Sequence, residues 1–221
     1  MRKLFSIFVL FSALMLNAQD VFLNKVAKTN ENSDKFFYLI DQQQTNAEYL
    51  GEIQVRGYST NDAQVFSMIY KKAKQVGANA FALKPIENVD GSFQKFSSSN
   101  YFINLYYVPK SDLLTSKGKI FVFAGSEKAQ KISVNEEDFT LNPRSFLELN
   151  ARINETNSIS TKKFLGSTLR LSFSDTQDSA YFQVKPFSVK GNYGLNFKSG
   201  DIIGLEQSYA HFLSVIYTKQ N

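Results

Sequence analysis

The first half of the chain shows both a strand period and a helix period. Over Tyr49–Val55, apolar Leu50, Ile53 and Val55 are interleaved with polar Glu52, Gln54 and Arg56, which predicts a half-buried strand. Val65, Phe66, Ile69, Ala73 and Val76 then recur at helical spacing. Asn61 or Asp62 can accept orphan backbone N–H groups as an N-cap, and Gly77 can take the left-handed cap conformation. A helix over 62–76 is therefore predicted. Lys71, Lys72 and Lys74 crowd its last turns, where cations oppose the negative end of the helix dipole, and read as a solvated end. Lys35–Ile40, Ala78–Ile86 and Tyr101–Val108 read as further strands, with Pro85 marking an edge or an end. Glu87–Asn100 reads as a polar loop broken at Asp90-Gly91 and Ser97-Ser98-Ser99.

The second half carries mostly strand signals. Ile120–Ala124 is continuously apolar, as in a strand buried on both faces. Further strands are marked by Ile132 and Val134, by Phe146, Leu147 and Leu149, and by Leu169, Leu171 and Phe173. Phe182 with Val184, and Phe187 with Val189 after Pro186, complete the series. At the end of the chain two periods compete. Leu205, Tyr209, Phe212 and Ile216 have helical spacing, whereas Leu213, Val215 and Tyr217 have strand spacing; the β-branched and aromatic run Phe212–Tyr217 favours a strand. The expected fold class is α+β, a small β-β-α-β-β unit over 19–110 followed by an all-β antiparallel sandwich over 117–221. Residues 111–116 are the expected linker.

The N-terminus changes the picture, because it reads as an address. Arg2 and Lys3 precede the uncharged, mostly apolar run Leu4–Leu16, and small Ala18 fits a cleavage point, as in a secretory signal peptide. The run is 13 residues long, shorter than the roughly 20 a spanning helix needs. The expectation is export to the periplasm or cell surface of a Gram-negative envelope, with no transmembrane segment after cleavage. The chain has no cysteine, so lipidation at a cleavage-site cysteine is excluded.

Charge adds little. The formal net charge of +5 falls to +3 without Arg2 and Lys3, and the basic residues are spread evenly, which argues against a nucleic-acid partner. The chemistry available is narrow. With no Cys and one His among 221 residues, thiolate metal sites, a Cys nucleophile and a His pair are excluded, and a Ser-His-Asp triad could use only His211.

The strand Tyr49-Leu50-Gly51-Glu52-Ile53-Gln54-Val55, followed by a helix closing in Ala73-Lys74-Gln75-Val76-Gly77-Ala78-Asn79-Ala80, resembles a family of small α/β modules carrying a GANA turn. Members of that family are described as heavy-metal-binding, and relatives include envelope-stress lipoproteins. The resemblance covers about residues 49–84 and implies the module's fold. Its metal does not carry over, because the soft ligands are missing. Within GANA, Gly77 permits positive φ, Ala78 and Ala80 permit close packing of helix on strand, and Asn79 tolerates turn geometry. Residues 117–221 resemble, more loosely, β-sandwich modules of unknown function on bacterial exported proteins, through KIFVF, ISVN and YFQVKP segments.

No catalytic, cofactor-binding or metal-ligating residue is assigned, and no cofactor is expected. His211 beside Phe212 reads as a packed histidine. Glu136-Glu137-Asp138 lacks the spacing of a calcium loop and reads as a solvated turn. Gly125-Ser126 and Gly200-Asp201 read as turns, and Asp178-Ser179-Ala180 matches a short O-glycosylation motif that recurs by chance. The expected function is a non-enzymatic, exported binding module with an envelope protein or cell-surface component as partner. The alternatives are an envelope glycan hydrolase using a carboxylate pair and a small-ligand protein with an interdomain pocket.

Overall fold

The computed structural model describes residues 19–41, 46–113, 115–162, 166–185, 198–199 and 201–220. The signal peptide expected over 1–18 and the strand expected at Phe187 and Val189 lie outside the described residues. The chain divides into two compact units between Val108 and Pro109.

The first unit contains β1 (Asp20–Val26), β2 (Tyr38–Leu39), β3 (Glu48–Arg56), α1 (Asp62–Gln75), β4 (Ala80–Lys84) and β5 (Asn100–Tyr107). Its single sheet has the order β1-β3-β5-β4-β2. Asn61 caps α1, its side chain accepting from Gln64 N–H, and the buried stripe Val65, Ile69 and Ala73 faces the sheet, with α1 packed on β1 and β3. Leu50, Ile53, Val55, Phe81, Ile103 and Leu105 are fully buried in this unit. Two glycines have steric reasons to be there. A Cβ on Gly51 would lie 2.2 Å from the Lys25 carbonyl oxygen, where β1 bulges against β3. Gly77 has φ +78°, and a Cβ there would lie 1.7 Å from the Asn30 carbonyl oxygen. Asn79 does more than tolerate a turn. Its amide donates to Val108 O at 2.9 Å and accepts from Val108 N at 2.9 Å, prolonging the β4–β5 pairing through a side chain.

The second unit contains β6 (Lys119–Phe123), β7 (Gln130–Val134), β8 (Glu137–Leu141), β9 (Ser145–Asn150), β10 (Thr156–Thr161) and β11 (Thr168–Ser172). After these come β12 (Ala180–Val184), β13 (Lys198–Ser199), β14 (Ile202–Gly204), α2 (Gln207–Ile216) and β15 (Thr218–Gln220). One sheet has the order β11-β10-β7-β8 and the other β13-β14-β12-β6-β9-β15. Both sheets contribute to one buried cluster, including Ile120, Val122, Ile132, Leu141, Ile159 and Val184. The opposite face of the six-stranded sheet carries aromatic side chains. Phe121 stacks on Tyr181 with ring centroids 5.0 Å apart, Phe123 on Phe146 at 5.2 Å, and α2 adds His211 against Tyr181.

The expected α+β arrangement is corrected by these observations. The protein is mostly β, with 45% strand and 15% helix, two helices among the described residues and several sheets. The first unit opens with an additional strand, β1, so its order is not β-β-α-β-β. The second unit is neither all-β nor antiparallel throughout, because β12 pairs with β6 and β15 with β9 in parallel and α2 lies between β14 and β15. The strand expected at Phe212–Tyr217 is the end of that helix. Glu206 decides it locally, its carboxylate accepting from Tyr209 N–H at 3.1 Å, and burial of Phe212 and Leu213 outweighs their strand propensity.

Candidate functional site

Antiparallel pairing fixes which loops of the first unit share an end of the sheet. Asp20 lies opposite Arg56, Arg56 opposite Asn100, and Lys84 opposite Phe102. The start of β1, the exit of β3 and the β4–β5 connection therefore meet at one end. Hydrogen bonds tie them together, from Gln19 Nε2 to Ser98 O at 3.0 Å and from Gly57 N to Ser99 O at 2.9 Å.

The β4–β5 connection is a polar loop that turns at Asp90-Gly91, and it is folded into a small hairpin. Glu87 and Phe93 form an antiparallel bridge, Asn88 N donates to Ser92 O at 2.7 Å, and Gly91 N donates to Asn88 O at 3.0 Å. Gly91 has φ +80°, so Val89 and Asp90 form a turn closed by a left-handed residue, a three-residue hairpin connection. Side chains lock it. Asp90 accepts from Ser92 N at 2.9 Å and from Ser92 Oγ at 2.7 Å, and Gln94 Nε2 donates to Asn88 Oδ1 at 2.9 Å. These Ser92 hydrogen bonds hold the Asp90 carboxyl below the usual carboxylate range.

The hairpin holds apolar side chains in water. Val89 is fully exposed, Phe93 is 66% exposed and Phe96 is 42% exposed. Phe96 leans on Tyr101 at 5.5 Å, and the two wall a small cleft of about 110 Å³ with Leu83, Lys84, Pro85 and Ile86. Tyr58, just beyond β3, is half exposed at the same end, and Phe22 is exposed two residues into β1. Among the described residues, the exposed large hydrophobics are Phe22, Val26, Phe36, Tyr58, Val89, Phe93 and Phe96, all in the first unit. Default burial of Phe conceals this set in the sequence; the one available signal was an apolar residue on each side of Asp90-Gly91.

The sheet face away from α1 is polar and sealed by its own side chains. Glu52 is only 4% exposed; Lys84 Nζ donates to it at 2.5 Å and Asn24 Nδ2 at 2.6 Å. Burial opposes its ionisation, but the Lys84 and Asn24 hydrogen bonds win and hold its carboxyl below the usual range. Lys25 lies over the Tyr49 ring, Arg56 over Phe22 and Lys84 over Phe102, at 5.6, 6.0 and 5.7 Å from the centroids. The cations thus cover the ring faces that a stacking ligand would need. Of the lysines at the end of α1, Lys74 is not simply solvated. Lys74 Nζ donates to the carbonyls of Asp34, Phe36 and Ala78 at 2.7, 2.7 and 3.0 Å, and burial lowers its pKa.

The candidates in the second unit are structural in their surroundings. His211 Nε2 and Tyr181 Oη are 3.2 Å apart. Burial pushes the His211 pKa down to about 4, and burial together with the Asp178 and Glu148 carboxylates pushes that of Tyr181 up to about 12. Both are neutral at pH 7 and neither is poised for proton transfer there. Glu136-Glu137-Asp138 is split up: Asn135 and Glu136, with φ 50° and 73°, form the β7–β8 turn, and Asp138 pairs with Lys162 from β8. Ser179 is buried, its Oγ accepting from Lys119 N at 3.2 Å and donating to Ser116 Oγ at 3.0 Å, so the folded chain does not present it for glycosylation. Gly125 N donates to the Gln130 side chain at 2.8 Å. Gly200 lies outside the described residues, while Asp201 O accepts from Lys185 N at 2.8 Å.

The chain has no thiolate, its histidine lies against Tyr181, and no group of three or more His, Asp or Glu among the described residues could hold an ion. No family model, curated protein or solved structure matches the chain.

Proposed function

We propose that the protein is an exported, non-enzymatic binding module of the bacterial envelope, and that its contact surface is the apolar end of the first unit. One observation carries this reading: among the described residues, the large apolar side chains left in water all belong to the first unit, and Tyr58, Val89, Phe93 and Phe96 lie at one end of it. Exposed apolar clusters on otherwise well-packed chains mark contact surfaces. The hydrogen-bonded hairpin strengthens the case, because a preformed loop loses little conformational freedom on binding. The hydrolase alternative has less support. Glu52 is held ionised by Lys84 and Asn24, and Glu148 by Lys119 and Lys219, whereas a glycosidase acid needs a raised pKa.

The test is capture from envelope fractions with the purified chain and two variants. The wild type and Phe36→Ser, which alters the other end of the sheet, should retain the same partner. The triple variant Val89→Ser, Phe93→Ser, Phe96→Ser should lose it at least tenfold. Equal capture by the triple variant would remove this end from consideration.

A further inference from the structure

We infer that signal cleavage makes Gln19 the first residue of the exported chain, and that this residue closes on itself to pyroglutamate. The modification leaves an uncharged, blocked terminus seated against Ser98. Both steps rest on the export reading of residues 1–18 and owe nothing to the contact surface.

The sequence supplies the reactant. Ala18 fits the cleavage point, and the residue after it is glutamine. Cleavage frees the α-amine of Gln19 within reach of its own side-chain carbonyl carbon, Cδ, through a five-membered ring. The amine attacks Cδ, the Cδ–Nε2 bond breaks, and ammonia leaves with the proton that the amine gives up. An α-amine titrates near pH 8, so at pH 7 about a tenth of it is the uncharged nucleophile. Because nucleophile and carbonyl belong to one residue, no second molecule has to be brought into place.

The fold favours the product. Gln19 immediately precedes β1, whose Asp20 lies opposite Arg56, so the new terminus is fixed at the end of the five-stranded sheet. Gln19 is only 7% exposed, and its Nε2 donates to Ser98 O at 3.0 Å. An end tied down in this way stays ordered where a free one frays. An α-ammonium here would bring a charge into a largely buried position, and burying a charge costs far more than burying an amide. The lactam carries no charge. Its N–H is borne by the same Cδ that carried Nε2, so an amide donor for Ser98 O survives the loss of ammonia.

A blocked terminus also protects the sheet. Among the described residues β1 is an edge strand that pairs with β3 alone, along Asp20–Val26. An aminopeptidase needs a free α-amine and would strip this strand from its first residue. Pyroglutamate offers it none.

The test is mass spectrometry of the full chain purified from the envelope of the bacterium that makes it. The N-terminal peptide should begin at residue 19 and weigh less than its encoded sequence by one ammonia. After unfolding, pyroglutamyl aminopeptidase should remove that residue and leave a free amine on Asp20. Gln19→Asn keeps a side-chain amide but would need a four-membered ring, so its terminus should stay free. A general aminopeptidase should then shorten this variant at least tenfold faster than the wild type. A chain that begins at Gln19 and retains its ammonia overturns the modification and leaves export standing. A chain that begins at another residue beyond 18 overturns the modification and the cleavage point, and one that keeps residues 1–18 overturns the export reading as well. Equal trimming of wild type and Gln19→Asn overturns the protective role.

Discussion

Gly77 and Gly91 share a backbone conformation and differ in what surrounds them. Both have φ near +80°, a region that costs a residue with Cβ about 1–2 kcal/mol. At Gly91 a Cβ would meet nothing closer than the Glu87 carboxylate at 4.0 Å, whereas at Gly77 it would lie 1.7 Å from a backbone oxygen of Asn30. Gly91→Ala should therefore cost about 1 kcal/mol and Gly77→Ala about 3 kcal/mol or more in urea unfolding. Equal losses would show that the Asn30 segment yields without cost. At this scale the sequence was partly legible. The need for Gly77 follows from its place after a helical stripe, but the bond pair from Asn79 to Val108 depends on a strand 29 residues away and has no local signature.

At the scale of elements, the two helices differ in how they could be read. The stripe, cap and closing glycine of α1 are all local, so its bounds could be drawn from the sequence. In α2 the run Phe212–Tyr217 prefers a strand locally, and the helix is selected because it lays His211 and Tyr217 on the aromatic face of the six-stranded sheet. That packing has a pH signature. The folded chain keeps His211 neutral down to about pH 4, while the unfolded chain takes up a proton near its ordinary value of 6.5. Between these values the unfolded state binds more protons, so stability falls as pH drops from 6.5 towards 4, by about 3 kcal/mol in total. His211→Gln should flatten the slope of urea midpoints between pH 7 and pH 4.5. An unchanged slope would mean that other groups carry it. The β4–β5 loop was legible as a loop but not for its exposed apolar side chains: hydrogen bonding among Asn88, Asp90, Ser92 and Gln94 uses the polar groups and leaves Val89 and Phe93 in water.

For the molecule as a whole, the pattern of strand pairing separates structure from contact surface. The five-stranded sheet draws only on residues before Val108, and the other two sheets only on residues after Pro109. Each unit also buries its own large side chains, with Phe37, Phe81, Ile53 and Ile103 in the first and Phe123, Phe212, Ile120 and Leu141 in the second. No sheet loses a strand if the chain is cut at this boundary. Residues 19–108 alone should therefore unfold in one cooperative thermal transition, followed by circular dichroism, and residues 109–221 should do the same. Because the exposed large hydrophobics among the described residues lie in the first unit, residues 19–108 should also retain the envelope binding of the longer chain, and residues 109–221 should retain none. A folded first unit without binding would place the contact surface elsewhere. A first unit that fails to fold would instead show that its stability depends on the second, despite a sheet and core of its own.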